Sequence, residues 1–200
     1  MATPQQIIAK AASQVGVHEV PDGSNDGPGV RVFQAVTGAF RAPWCASFVQ
    51  WVLRGCGVGP IANDSAGAYY IGDWARSHGL TIAKPEPGCV AVYHEGQGHI
   101  GIVQEIVPGG FYAIEGNYSN SVSRVRRDLT NIYCLFRVPG VTPKPRTVWL
   151  PRFEIVGSRS GHAVVFVKLG KWSKVGPQIP SLVAKFRDVR VRRKLVKATV

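Results

Sequence analysis

Three side chains of this sequence have the types and the chain order of a nucleophilic site: Cys45, His99 and Glu115. Cys45 follows Pro43 and opens an apolar run that is typical of a buried helix. A cysteine in the first helical turn meets free backbone N–H groups and the positive end of the helix dipole, which favour its thiolate. Cys45 is therefore a candidate nucleophile, although cysteines are also common as small core residues.

His99 opens a predicted strand directly after a glycine-containing turn, where functional sites are usually built. It could take the proton of the Cys45 thiol, or hold it already as an imidazolium, and later donate it to a leaving amine. Glu115 and Asn117 lie two residues apart on one face of the next strand. Glu115 would orient the imidazole ring, and Asn117 or the backbone N–H of Cys45 would help to hold an oxyanion.

Two simpler interpretations stay open for the polar pair, because Glu115 could be a solvated strand end and Asn117 an ordinary turn residue. The residues predicted to bind substrate are the aromatic neighbours of these groups, Trp44 and Tyr118.

The elements that must position these residues change in character along the chain. Helices are predicted from Thr3 to near Gly16, over 30–36, from Cys45 onward, and from a cap at Asp64 or Ser65 to Gly79. Four short strands follow, and they are separated by turns: Cys89–His94, His99–Gln104, Phe111–Ile114 and Ile132–Arg137. Helices followed by an antiparallel meander predict an α+β fold.

No cofactor is expected. Asp22, Ser24 and Asp26 alternate as at the start of a calcium loop, but the closing glutamate is missing and Pro28 and Gly29 interrupt the pattern. Asp22 and Asp26 are thus weak calcium candidates in what is otherwise a polar turn. The four cysteines show no CxxC spacing, which argues against a zinc or redox motif, and we expect them to be reduced.

The ordered motifs resemble the CHAP family of cysteine, histidine-dependent amidohydrolases/peptidases, within the papain-like NlpC-type cell-wall hydrolases. The resemblance covers about residues 4–138 and is greatest to phage-encoded members. The matching segments are Pro43-Trp44-Cys45, Gly98-His99-Ile100-Gly101-Ile102-Val103, Glu115-Gly116-Asn117 and the loop Glu19-Val20-Pro21-Asp22-Gly23-Ser24-Asn25.

The resemblance implies a papain-like domain in which N-terminal helices pack on an antiparallel sheet. It also implies Cys45 as nucleophile, His99 as base, Glu115 as orienting acid and Asn117 as accessory polar group. The family cleaves amide bonds of peptidoglycan, either at the sugar–peptide junction or within the stem peptide and cross-bridge. Some members bind calcium just before the cysteine, but residues 40–44 carry no carboxylate, so this feature is not carried over. His94 lies close to His99 in sequence, and the Gly-His-Ile-Gly context favours His99.

Charge divides the chain into two predicted domains. Residues 1–140 hold ten basic and ten acidic side chains, whereas 141–200 hold 14 and 2, so the net charge of +12 lies in the last 60 residues. We predict a CHAP-like domain over 1–140 and a small basic segment over 141–200. Strands are expected at 147–150, 153–156 and 162–168, while the period of 181–197 suits a strand or a helix.

Three partners would suit the basic segment: anionic wall polymers, phage tail proteins and nucleic acid. Nucleic acid is the least favoured, because no DNA- or RNA-reading motif is visible. No signal peptide or membrane span is recognised, so we expect synthesis in the cytoplasm and action at the cell wall.

The predicted function is a phage-type peptidoglycan hydrolase that acts in host lysis or as a tail-associated lysin. The alternative is a non-catalytic tail or baseplate protein that keeps the hydrolase fold and binds wall glycan.

Overall fold

The computed structural model describes residues 2–141, 147–155 and 191–199. The chain divides into two compact units, residues 1–144 and 145–200. The first unit begins with helices, which are α1 (Pro4–Ala12), α2 (Pro28–Thr37), α3 (Cys45–Gly55), a short 3₁₀ helix (Ala62–Asp64) and α4 (Ala68–Ser77). Five strands follow them, β1 (Val90–Tyr93), β2 (His99–Val107), β3 (Gly110–Tyr118), β4 (Ser121–Arg127) and β5 (Ile132–Phe136). Helices followed by antiparallel strands confirm the predicted α+β class.

Local sequence signals explain the start of α1 and the end of α2. Thr3 and Gln6 form a capping box at the start of α1, and Gly38 ends α2 in the left-handed conformation. α1 ends at Ala12, earlier than predicted, and turns continue the chain to Gly16. The predicted cap of α4 was wrong, because Asp64 belongs to the 3₁₀ helix and Gly67 precedes α4.

The sheet is antiparallel with strand order β4-β3-β2-β1-β5. Strands β1 to β4 form a meander. Strand β5, the last of the four predicted strands, does not extend the meander as expected but returns to pair with β1. Strand β4 was not predicted from the sequence. It holds three arginines and only two apolar residues, so its alternation is weak.

Both faces of the sheet are covered by apolar side chains. Helix α3 packs on β2 and β3, and α4 packs beside β5 and β1. The large core on the helical face includes Phe33, Trp44, Phe48 and Ile100. A smaller cluster on the opposite face consists of Cys89, Ala91, Tyr93, Val103, Phe111, Ala113 and Leu135. All four cysteines are unpaired, as expected.

The second unit contributes two described strands, β6 (Thr147–Ile155) and β7 (Val191–Thr199), which pair antiparallel from Thr147 opposite Thr199. The strands predicted at 147–150 and 153–156 are therefore one strand, β6. The region 181–197, whose period suited a strand or a helix, is a strand from Val191 onward. The strand predicted at 162–168 lies outside the described residues. Among the helices that the structure describes, none has the length and apolar character to cross a bilayer.

Gly116 tests how tightly α3 packs against β3. A Cβ at this position would lie 2.5 Å from Phe48 Cβ and 2.9 Å from Trp44 Cζ3. We expect Gly116→Ala to lower the free energy of unfolding by about 1–3 kcal/mol, because the packed helix must move away from the strand. Urea unfolding of both proteins measures the difference.

The matched control is Gly59→Ala, at an exposed glycine that has no neighbour within 4 Å of a built Cβ. We expect the control to change stability by less than about 0.5 kcal/mol. Equal stability of the Gly116→Ala variant and the unsubstituted protein would contradict the described helix–strand contact.

Candidate active site

Cys45 is the first residue of α3, where the sequence placed it. The first backbone hydrogen bond of the helix runs from the Phe48 N–H to the Trp44 carbonyl at 2.9 Å. The N–H groups of Cys45, Ala46 and Ser47 therefore have no acceptor within the helix, so the positive end of the dipole lies beside the thiol. Cys45 is 6% exposed, which leaves it narrowly accessible.

His99 connects Cys45 to a buried carboxylate. Its Nε2 lies 2.8 Å from Glu115 Oε2, and the Cys45 side chain is near enough to the ring to help raise the pKa of His99. Glu115 is fully buried and His99 is 9% exposed. If Nε2 carries the proton toward Glu115, the other ring nitrogen is left for the thiol, which is the arrangement of a cysteine–histidine–acid triad.

The electrostatics of this cluster favour a charged histidine. Burial alone would lower the pKa of His99, but hydrogen bonds and charge interactions with Cys45 and Glu115 outweigh it and raise the pKa to about 9. Burial likewise opposes ionisation of Glu115, yet hydrogen bonds from Arg127 and His99 lower its pKa. The imidazolium form of His99 beside an ionised Glu115 is therefore favoured at neutral pH.

Arg127, the last residue of β4, is a site residue that sequence reasoning missed. Its guanidinium donates from Nε to Glu115 Oε1 at 2.8 Å and from Nη2 to Glu115 Oε2 at 2.6 Å. It also pairs with Glu95 in the turn before β2. Strand β4 gave little signal, because its two apolar residues, Val122 and Val125, lie three positions apart and do not alternate as in a typical strand.

Gly101 leaves the space that the Glu115 side chain occupies. The two residues are directly opposite each other in the β2–β3 register. A Cβ at position 101 would lie 2.5 Å from Glu115 Cγ and 3.3 Å from Cδ. Gly101, two residues after His99, is therefore needed for steric reasons, because a side chain there would occupy the space in which the Glu115 carboxylate lies under the imidazole.

Asn117 is held by a second buried carboxylate, Glu19. With its amide oriented by these neighbours, Asn117 donates to Glu19 Oε1 at 3.0 Å and accepts from the Trp44 N–H at 3.2 Å. Glu19 also accepts from Trp44 Nε1 at 2.9 Å and from the Asn25 N–H at 2.8 Å. Asn117 thus fixes the backbone directly before Cys45, and its role toward an oxyanion stays a prediction.

The two residues predicted to bind substrate lie in different environments. Trp44 is fully buried and its ring stacks on Phe33 with centroids 5.6 Å apart, so the prediction that it contacts substrate was wrong. Its indole fills the core beneath the nucleophile. Tyr118 is 37% exposed and its ring lies 6.4 Å from that of His99, where a substrate could reach it. His94 is exposed and packs against Tyr133, so the geometry favours His99 as the base.

The weak calcium candidates have other partners. Asp26 is buried and its carboxylate pairs with Arg31 and Arg41, which supply the positive charge that a cation would bring. Asp22 accepts from the Asn120 side chain at 3.0 Å. Across the described parts of the chain, no three His, Cys, Asp or Glu side chains converge as a metal site. Asp26 is therefore unsuited to bind a cation, because its oxygens are already taken.

Comparison with known proteins identifies the domain. Residues 37–117, which include Cys45, His99, Glu115 and Asn117, match the CHAP domain family. No curated protein sequence matches the chain.

Two solved structures are similar to the chain. The crystal structure of Ly7917 has 16% identity and a TM-score of 0.40, over 76% of this chain and 68% of that one. The crystal structure of Ly7917 with the hydrolyzing product of MDP has 14% identity and a TM-score of 0.41, over 98% and 82% of the two chains. The family match carries the assignment, and it confirms the predicted cysteine-dependent amidohydrolase or peptidase class. Residues 37–117, which are less than half of the chain, are therefore similar to the CHAP domain family.

Proposed function

We propose that this protein is a peptidoglycan hydrolase that cleaves an amide bond through a thioester on Cys45. The observation that carries the proposal is the 2.8 Å hydrogen bond between His99 and the buried carboxylate of Glu115. The Cys45 thiol, at the start of α3, lies near enough to His99 to help raise the pKa of the imidazole. A protein that only bound wall glycan would have no use for this buried, charged arrangement, which is costly to bury.

Acylation begins with the Cys45 thiolate and the His99 imidazolium. The sulfur attacks the carbonyl carbon of the scissile amide, and the carbonyl oxygen takes the negative charge. The unpaired N–H groups of the first turn of α3 are the available donors for that oxyanion. His99 then donates its proton to the leaving amine, the C–N bond breaks, and a thioester remains.

Deacylation uses the same residues in reverse. Neutral His99 takes a proton from a water molecule, which attacks the thioester carbon. The C–S bond breaks, the substrate leaves as a carboxylic acid, and the thiolate–imidazolium pair is restored. Glu115 keeps its hydrogen bond to Nε2 throughout, so the ring presents the same nitrogen to the sulfur in both steps.

The phage role is a further part of the proposal. Its support is the order of the sequence motifs, including the loop over 19–25. Release at host lysis and transport in the virion are both compatible with that support. The exposed ring of Tyr118 beside His99 would contact the substrate near the scissile bond.

For the basic segment over 141–200 we propose binding to anionic wall polymers, because it holds 14 basic and 2 acidic side chains. A segment of this charge attracts any polyanion, so tail proteins and nucleic acid are the competing partners.

Digestion of purified peptidoglycan, with mass spectrometry of the fragments, tests the hydrolase. We expect new fragments from the unsubstituted protein and a loss of at least about 10³-fold in rate for Cys45→Ala and for His99→Ala, because each removes a group that exchanges a bond or a proton. The masses of the fragments identify the cleaved bond.

The matched control is Cys56→Ala, which removes a half-buried thiol after the other end of α3. Burial raises the pKa of Cys56, so it stays protonated, and the variant should digest walls at the normal rate. Lysis by Cys45→Ala would contradict the mechanism. No fragments from any wall type would favour the non-catalytic wall-binding alternative.

The charge state of His99 can be measured without a substrate. We expect its NMR titration to give a pKa near 9, and Glu115→Gln to lower that pKa because the imidazolium loses its buried counter-ion. A raised folded-state pKa stabilises the fold fully below about pH 6.5, and this stabilisation is lost as the pH rises toward 9. Glu105→Gln, which removes a surface carboxylate on β2, is the control and should leave the titration unchanged. A pKa near the ordinary histidine value in the unsubstituted protein would contradict the described site.

Wall binding by the basic segment is tested by co-sedimentation of the inactive Cys45→Ala protein with purified walls. We expect binding to weaken as salt is raised, because released counterions no longer favour the complex, and to fall on walls stripped of phosphate polymers. A further variant, in which Arg192, Arg193 and Lys194 are all replaced by glutamine, should bind less. Equal binding to intact and stripped walls would contradict this part of the proposal.

A further inference from the structure

Arg127 reaches the proposed active site from a strand that contributes no catalytic group. It lies opposite Phe111 in the β3–β4 register, four residues along β3 from Glu115. The position between them on that face of β3 is the buried Ala113. Two of its nitrogens meet the two oxygens of Glu115, at 2.8 and 2.6 Å. Such a two-point contact fixes both the position and the rotation of a carboxylate.

The same guanidinium contacts the turn from which His99 emerges. It donates from Nη1 to Glu95 Oε1 and, at 3.2 Å, from Nη2 to Glu95 Oε2. The Tyr93 ring lies 4.4 Å from the guanidinium carbon, so the cation also rests on an aromatic face. The Arg127 side chain is 13% exposed, which indicates a buried connection between two carboxylates rather than a surface ion pair.

We propose that Arg127 is a positioning residue that keeps the Glu115 carboxylate ionised and aimed at His99, and that fixes the turn before His99 through Glu95. The inference rests on the function proposed above. It adds a fourth and a fifth member to the site, which becomes a chain of alternating charge: Cys45, His99, Glu115, Arg127 and Glu95.

The physical reason lies in the burial of Glu115. Without a permanent cation beside it, a fully buried carboxyl group favours its protonated form. A protonated Glu115 would no longer be the counter-ion of the His99 imidazolium, and the imidazolium in turn would stabilise the Cys45 thiolate less. The effect of Arg127 therefore reaches the nucleophile through two hydrogen-bonded neighbours.

The other charged and titratable groups around Arg127 do not supply a second cation beside Glu115. Burial and the Glu115 charge raise the pKa of Tyr93 well above its ordinary value, so its hydroxyl stays neutral. Arg126 points away and donates to the Pro108 carbonyl at 3.1 Å. Asp128 holds Thr130 at the exposed end of β4, and the half-exposed ring of Tyr118 lies 5.2 Å from the guanidinium.

The test compares Arg127→Gln and Arg127→Lys with the control Arg124→Gln. Arg124 lies on the same strand and pairs with Glu105 at the surface, so the control removes an equivalent side chain away from the site. The first readout is the rate at which iodoacetamide alkylates Cys45 at each pH, followed on the Cys45 peptide by mass spectrometry. This readout needs no wall substrate.

We expect the rise of the alkylation rate with pH to move about one unit upward in Arg127→Gln, which makes Cys45 about tenfold less reactive on the acid side. Arg127→Lys should keep the pH dependence, because it keeps the charge. With peptidoglycan as substrate, the kcat of both variants should fall about 10- to 100-fold with little change in KM, because the imidazole ring of His99 is less well oriented. The control should match the unsubstituted protein in every measurement.

An unshifted pH profile in a folded Arg127→Gln protein would overturn the inference, even if its thermal stability fell. If that variant does not fold, Arg127→Lys decides: a lower kcat at an unchanged pH profile supports the positioning role, and a normal kcat overturns it. Failure of the proposed function would give a different result. The unsubstituted protein and the Arg127 variants would then show the alkylation profiles expected above, but the unsubstituted protein would leave every wall intact.

Discussion

The hydrogen bond between His99 and the fully buried carboxylate of Glu115 is the interaction on which the rest of this site depends. A buried charge is tolerated only where its oxygens are occupied by donors, and here an imidazole and a guanidinium supply them. One side of the histidine ring is thereby fixed, and its other nitrogen is left for the thiol of Cys45. The helix, the sheet and the turn before β2 each supply one part of this arrangement.

The glycines of the motifs leave space for these groups, because they have no side chain. Gly101 gives the Glu115 side chain its space on the sheet, and Gly116 lets strand β3 lie against Phe48 at the start of α3. Glu19, through Trp44 and Asn117, holds the segment that leads into Cys45. The spacing of the glycines and of the polar residues is therefore a consequence of how closely one helix end must approach two strands.

Much of this could be predicted from the sequence, because the signals are local. Cys45 comes two residues after a proline and begins an apolar helix, His99 begins a strand after a turn, and Glu115 belongs to the next strand, so their elements were predicted correctly. Arg127 was missed because a strand with three arginines resembles a solvated surface, and a diagonal contact across a sheet leaves no pattern in the chain. The burial of Trp44 also depends on tertiary packing, since an aromatic residue beside a nucleophile suits a core and a binding surface equally well.

The central claim is that Cys45 forms a covalent bond with its substrate, and trapping that bond is its most direct test. The protein would be quenched in acid during turnover of soluble peptidoglycan fragments, then digested and analysed by mass spectrometry. We expect the mass of an acyl group on the peptide that contains Cys45, and no such mass on the corresponding peptide of Cys45→Ala, which has no thiol to acylate. Turnover without any adduct, at a rate that Cys45→Ala leaves unchanged, would contradict the account.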